Sequence, residues 1–225
     1  MIKAWDKCPL RYKKEYIDKE STHYQPEVNT GIRLHEAMHK HIIGNIDSIP
    51  ELLKSDEDKI LFEKIEQSID FLFVNDLVYP IKNPEILSEF KFQTEIEEIK
   101  LKGTMDIILV GKKEVRIIDL KTGWGRSSQN WIQATLYTKA AEKIWDPWKV
   151  SFAFWHPRWN GVEETIDMLN WEKLKEIIKT MSEDTKFVAT PSYATCRYCP
   201  YGDTCKSRRR KHGKGFSCKE AGIAC

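Results

Sequence analysis

Val115-Arg116-Ile117-Ile118-Asp119-Leu120-Lys121 is apolar along most of its length and ends in two opposite charges. In a strand, side chains alternate between faces with period two. Ile118 and Leu120 then share one face, while Val115, Ile117, Asp119 and Lys121 share the other. A face that begins apolar ends in a carboxylate and an ammonium two residues apart. Alone, such an Asp-x-Lys is equally compatible with a strand that has left the core. Upstream, Gly103-Thr104-Met105-Asp106-Ile107-Ile108-Leu109-Val110 sets a second acid, Asp106, near the start of a very apolar strand. Antiparallel pairing lays the start of that strand beside the end of the next, so Asp106 and Asp119 can meet. Two carboxylates converging there suit a hard divalent cation.

Outward from this pair, Glu85 to Ile99, Leu101 to Val110 and Val115 to Lys121 read as an antiparallel meander, with Gly103 and Gly111-Lys112-Lys113 interrupting it. Before it, Gly31 to Ile43 carries Ile32, His35, Met38 and Ile42 at helical spacing. Ser55 caps a second helix, to about Phe73, whose expected stripe is Ile60, Leu61, Ile65, Ile69 and Leu72. After the meander come a helix from about Ser127 to Ile144 (Ile132, Leu136, Ala140, Ile144), a strand Lys149 to Trp155, a further strand Val162 to Met168, and a helix from Asn170 to about Met181. The expected class is α/β, one sheet flanked by helices.

The chain has 225 residues, with 36 Lys plus Arg against 34 Asp plus Glu. That length supports a full core without disulfides. No apolar run approaches the roughly 18 residues of a membrane span, and the first residues lack the apolar stretch of a signal peptide. A soluble, cytoplasmic protein without a membrane partner is expected. Six cysteines are too sparse for a disulfide scaffold, and clustered cysteines in a reducing compartment read as metal or cofactor ligands. Cys196, Cys199 and Cys205 supply three thiolates, which do not close a tetrahedral site. Residues 206–214 carry six Lys or Arg and no acid, as a solvated tail or a phosphate-binding patch.

Several side chains stay ambiguous alone. His35 on an apolar stripe is a core histidine or a ligand, and His39 and His41 read as surface residues. Gln133 and Tyr137, four apart, share a helix face. Glu89 is a strand acid with an exposed-face reading. Of the tryptophans Trp124, Trp131, Trp145, Trp148, Trp155, Trp159 and Trp171, most are expected in the core. Trp124, in a glycine-flanked turn, is placed to stack on an unpaired base, with Arg126 near a phosphate.

The order His35, Glu89, Gly103-Thr104-Met105-Asp106, Asp119-Leu120-Lys121-Thr122-Gly123 and Gln133-Ala134-Thr135-Leu136-Tyr137 resembles the RecB-like branch of the PD-(D/E)XK nucleases. With the cysteines, it is most similar to the iron-sulfur members: CRISPR-associated Cas-four exonucleases, their phage relatives and the nuclease domains of AddB-type proteins. The resemblance runs from Cys8 to Cys205. It implies a restriction-endonuclease-like core with a central mixed sheet, residues 1–225 forming a single nuclease domain. Residues 1–80 would be its helical part, 81–185 the core and 186–225 a cysteine-rich segment with a basic tail.

The implied activity is metal-dependent DNA cleavage, as an exonuclease on single-stranded ends or overhangs. His35, Asp106, Asp119 and the Leu120 carbonyl would hold Mg²⁺ or Mn²⁺, the nitrogen ligand favouring Mn²⁺. Lys121 would be the catalytic lysine beside Asp119 and Asp106, with Gln133 and Tyr137 ordering the site and helping to bind DNA. Cys8, Cys196, Cys199 and Cys205 would carry a 4Fe-4S cluster joining the two ends of the chain, with Zn²⁺ as the alternative. Cys218 and Cys225 have no place in that pattern. Trp124, Arg126, Arg208, Arg209, Arg210 and Lys211 are the expected DNA contacts, and recombination, repair or CRISPR-adaptation proteins the expected partners. A noncatalytic or zinc-stabilised nucleic-acid-binding module is the rival reading.

Overall fold

The computed structural model describes residues 1–20, 26–74, 81–123, 130–159, 161–164, 169–192, 195–196 and 199–207. Trp124, Arg126, Arg208, Arg209, Arg210, Lys211, Cys218 and Cys225 lie outside them. The chain forms two compact units: Pro26–Glu172, and the two ends of the chain together, Met1–Gln25 with Lys173–Cys225.

The first unit begins with α3 (Pro26–Ile42) and α4 (Asp56–Val74), while α1 (Ile2–Lys7) and α2 (Pro9–Tyr12) belong to the other unit. Pro26 at the first helical position has its φ already set for a helix. α4 starts in a reciprocal cap: Asp58 N–H donates to Ser55 Oγ (3.1 Å) and Ser55 N–H donates to the Asp58 carboxylate (3.1 Å). Arg33, midway along α3, grips the same carboxylate at 2.7 Å, tying α3 to the start of α4.

Five strands follow in spatial order: β1 (Glu85–Ile96), β2 (Ile99–Val110), β3 (Glu114–Leu120), β4 (Lys149–His156) and β5 (Gly161–Glu164). The first three form the expected antiparallel meander. α5 (Trp131–Trp145) then crosses over, so β4 runs parallel to β3, and β5 returns antiparallel. On one face Leu34, Ala37, Met38, Leu61, Phe62, Ile65 and Ile69 of α3 and α4 cover Ile107, Leu109, Ile118, Leu120 and Trp155. On the other, Ala134, Ala140 and Ala141 of α5 cover Met105, Ile108, Val115, Ile117, Phe152 and Phe154. Both faces are buried, and this is why the strands read as continuous apolar runs.

Local expectations shift in places. β1 ends at Ile96, because Glu97 and Glu98 both take left-handed conformations (φ 47° and 67°) in a two-residue hairpin turn usually built from Asn or Gly. Gly103 interrupts nothing: it lies inside β2, where a Cβ would stand 3.0 Å from the Phe92 ring and 3.3 Å from that of Tyr137. The buried stripe of α3 is rotated from the expected one, leaving Ile32 59% exposed, and on α4 Ile60 is exposed while Phe62 is buried. Trp155 is fully buried, whereas Trp148 is 80% exposed with the Lys113 ammonium over its ring.

The second unit joins α1 (Ile2–Lys7), α2 (Pro9–Tyr12) and a π-helical turn (Lys13–Ile17) to most of α6 (Trp171–Glu183) and the cysteine-bearing segment. Trp5 Nε1 donates to Asp184 (2.9 Å), Thr190 Oγ1 donates to the Lys7 carbonyl (2.9 Å), and the Tyr201 hydroxyl donates to the Glu20 carbonyl (3.3 Å). Among the described residues no helix is long and apolar enough to cross a membrane.

Candidate active site

The site begins with a break in strand periodicity. Leu87 and Ile108, paired across β1 and β2, face α5, and so do Phe90 and Met105, the next inward-facing pair on the same side. Three positions separate 87 from 90 and 105 from 108, so each strand has slipped one residue. The slip falls at Glu89 and Asp106, which stand opposite each other where the pairing skips a step. Glu89 is left-handed (φ 52°), a conformation unfavourable for a residue with a Cβ. The paired ladder of β2 with β3 stops nearby, at Ile107 opposite Ile118. Beyond that point the Leu120 N–H donates to Asp106 Oδ2 (2.8 Å) in place of a strand carbonyl.

His35 of α3 meets the two displaced acids. Its Nδ1 lies 3.4 Å from Asp106 Oδ2 and 3.7 Å from Glu89 Oε1, and one donor atom from each residue falls within 4.8 Å of the others. Burial alone would lower the pKa of His35. Its hydrogen bonds to Asp106 and Glu89, with the charges of Asp106 and Asp119, outweigh that and push it up to about 10. A proton thus sits where the two carboxylates need positive charge. One imidazole nitrogen and two carboxylate oxygens at this spacing fit a hard or borderline divalent cation.

Asp119 lies on the α5 face, as the alternation requires, and is 1% exposed. One carboxylate oxygen is paired with the Lys121 ammonium and the other accepts from Gln133 Nε2. Lys121 Nζ in turn donates to Gln133 Oε1 (3.2 Å), so one amide holds both members of the Asp-x-Lys pair. Burial, and then the Asp106 charge, push the Asp119 carboxyl above the usual carboxylate range, against Lys121 and His35. Tyr137 packs edge-on against Phe92 (5.7 Å between centroids) and hydrogen-bonds Gln133. Burial first, then the Asp119 and Asp106 charges, raise its pKa. Gln133 and Tyr137 do share one helix face, and that face looks at the end of β3.

The structure therefore brings together His35, Asp106, Asp119, Lys121, Gln133 and Tyr137. Glu89, to which the sequence alone gave no role, belongs to the closest donor group. His39, read as a surface residue, is half-buried: with Gly31, Ile32, His35, Glu36 and Glu89 it lines a cleft of about 530 Å³. Arg158 is a further residue the sequence did not mark. It donates from Nε to the Thr122 carbonyl (2.5 Å) and pairs with Glu57 (2.7 Å), bracing the chain just past Lys121. Gly31 lets α3 approach the same point, since a Cβ there would stand 3.2 Å from Thr122 Oγ1.

In the second unit Cys8, Cys196, Cys199 and Cys205 are half-buried free thiols. The Cys199 thiol is raised by burial, lowered by the Tyr201 N–H and Arg11, and raised again by Cys8 and Cys205, so these three sulfurs lie within electrostatic reach of one another. Among the described residues the close donor group contains no cysteine.

A family model of the PD-(D/E)XK nuclease superfamily matches residues 2–206. No curated protein sequence matches the chain. Among solved structures it is similar to an exonuclease candidate from Eubacterium rectale, with 12% identity over all of this chain and 92% of that one and a TM-score of 0.48. It is also similar to the protein SSO0001, with 14% identity over 88% of this chain and 95% of that one and a TM-score of 0.42.

Proposed function

Because the chain belongs to the PD-(D/E)XK nuclease superfamily, we propose that it is a divalent-cation-dependent deoxyribonuclease, an exonuclease on single-stranded DNA ends or overhangs. The observation that carries this reading is the meeting of His35, Glu89 and Asp106 beside an Asp119–Lys121 pair held by one amide. His35, Glu89 and Asp106 would hold the cation, with Asp119 and the Leu120 carbonyl as further donors. Bound Mg²⁺ or Mn²⁺ supplies Lewis acidity toward a phosphoryl oxygen and the attacking water. Lys121 places positive charge where negative charge grows on the phosphoryl group, and Gln133 fixes its direction. Tyr137 holds Gln133 in turn. A water oxygen bonds to phosphorus as the bond to the leaving nucleoside oxygen breaks, and that oxygen takes up a proton.

The same reading makes the chain a member of the RecB-like iron-sulfur branch, working in recombination, repair or CRISPR adaptation. A 4Fe-4S cluster on Cys8, Cys196, Cys199 and Cys205 would join the two ends of the chain. Support comes from the mutual influence of Cys8, Cys199 and Cys205 within one compact unit. Trp124, Arg126 and the basic run Arg208, Arg209, Arg210 and Lys211 are the proposed DNA contacts.

The deciding experiment is digestion of end-labelled single- and double-stranded DNA with Mg²⁺ or Mn²⁺, beside a Lys121→Ala control. Cation-dependent shortening from an end that the control lacks is the expected result, and equal activity in both preparations rules the assignment out. Iron and sulfide analysis of an anaerobic preparation, with Cys8→Ser against Cys218→Ser, tests the cluster. Cys8→Ser should lose iron and melt lower, because ligand bonding contributes directly to folding.

A further inference from the structure

We infer that the cleft beside the candidate cation site seats the nucleotide next to the scissile phosphate, with His39 as its hydrogen-bond donor; this rests on the nuclease reading above. Two of the cleft's walls, His35 and Glu89, are themselves cation donors, so the cavity opens onto the place where the phosphate to be cleaved would lie. Its volume of about 530 Å³ falls within the usual range for small-ligand sites, roughly 300–1,000 Å³. That is room for one nucleotide.

His39 stands four residues beyond His35 on α3, about 6 Å along the axis. Its Nδ1 is buried and has no hydrogen-bond partner among the described residues, while the residue lines the cleft. A proton on Nδ1 would be a buried N–H without an acceptor, which leaves Nε2 as the ring's donor. The remaining N–H is then a donor presented to the cleft. Glu36 is turned toward Lys40 (3.5 Å), which offsets its charge. A bound cation would offset the charges of Glu89 and Asp106. Ile32 is 59% exposed in the wall of the same cleft, an apolar surface for a sugar or base. The cleft thus offers one N–H for a phosphate oxygen, one aliphatic face, and a cation site at its end.

The test uses the full chain and a fluorescent single-stranded oligonucleotide. Its affinity is measured with Ca²⁺, which takes the same oxygen donors, alongside Mn²⁺ affinity without DNA and KM and kcat for cleavage. His39→Leu should weaken oligonucleotide binding and raise KM by about tenfold, the loss of one hydrogen bond to a charged group, with Mn²⁺ affinity and Tm unchanged. His39→Gln, which keeps an N–H close to the position of Nε2, should restore most of it. Ile32→Glu alters an exposed position, so its fold is safe, and should weaken binding by repulsion. Wild-type oligonucleotide affinity in His39→Leu overturns the inference, as does a parallel fall in Mn²⁺ affinity, which would make His39 a cation ligand. If the wild-type chain never cleaves the oligonucleotide while His39→Leu still loses affinity for it, the nuclease reading fails and the cleft remains the place where a nucleotide is held. If it cleaves with a KM that none of the three variants moves, the cleft assignment fails and the nuclease reading stands.

Discussion

The two halves of the candidate site are built differently. Asp119, Lys121, Gln133 and Tyr137 project from β3, the residue just past it and one face of α5, and an ion pair and hydrogen bonds tie them to one another. His35, Glu89 and Asp106 stand where two strands slip, and their balance depends on a proton held by His35. The first half is tied together by its own ion pair and amide; the second gathers two acids around one imidazole. Preorganised donors cost nothing at the moment of reaction, whereas a cluster of acids is stable only with a cation or a proton among them.

Removing Lys121 should have the largest effect, because it breaks the finished half. Lys121→Ala is expected to reduce cleavage by about 10³-fold or more and to destabilise the fold by up to about 3 kcal/mol, since it strands a buried carboxylate. Scanning calorimetry beside the digestion assay checks both; an unchanged Tm would mean that Asp119 simply protonates. Glu89→Gln acts on the other half and should lower Mn²⁺ affinity by at least about tenfold while leaving Tm within a degree or two. Titration calorimetry separates it from Lys121→Ala, and equal Mn²⁺ affinity in the two variants would erase the contrast between the halves.

The third expectation concerns pH. With its pKa raised to about 10, His35 is protonated at pH 7 in the cation-free protein, so binding must expel that proton. Mn²⁺ affinity should rise about tenfold per pH unit below 10, and calorimetry in buffers of different ionisation enthalpy should register one proton released per ion. Without cation the sign for stability is opposite: the His35 contribution is complete below about pH 6.5 and lost as pH climbs through about 10. No proton release would show that His35 is already neutral. The smallest effect belongs to Tyr137→Phe, which keeps the ring against Phe92 and loses only its hydrogen bond to Gln133. A two- to fivefold fall in kcat is expected, with Mn²⁺ affinity unmoved.

The same division explains what could be read beforehand. Period-two alternation along β3 places Asp119 and Lys121 on one face without any structure, and three-dimensional space then supplies Gln133 from a helix whose spacing is equally plain. Asp106 could be guessed from antiparallel pairing. Glu89 could not be given its role, because a left-handed glutamate opposite a second irregular residue leaves no trace in residue type. The Glu97-Glu98 turn escaped for the same reason, lacking the Asn or Gly that usually marks it. Helix stripes were found but rotated: Ile32 matched the pattern and faces solvent, while Leu34 and Ala37 hold the core position. His39 had no signal at all, since a cleft exists only once α3 lies beside β1.

That the second unit is made from both ends of the chain has a consequence for synthesis. Everything needed for the sheet and the candidate site between Pro26 and Glu172 emerges from the ribosome in one continuous stretch. Met1–Gln25, by contrast, must wait for Lys173 and the residues after it, an interval of roughly 7–30 s at typical elongation rates. Trp5 and Cys8 spend that interval without Asp184, Cys196, Cys199 and Cys205, so the sheet can form first and the cysteine unit last. Proteolysis of stalled nascent chains should find protected sheet fragments before the N-terminal residues become resistant. Met1–Gln25 is therefore made before the sheet and finds its place after it.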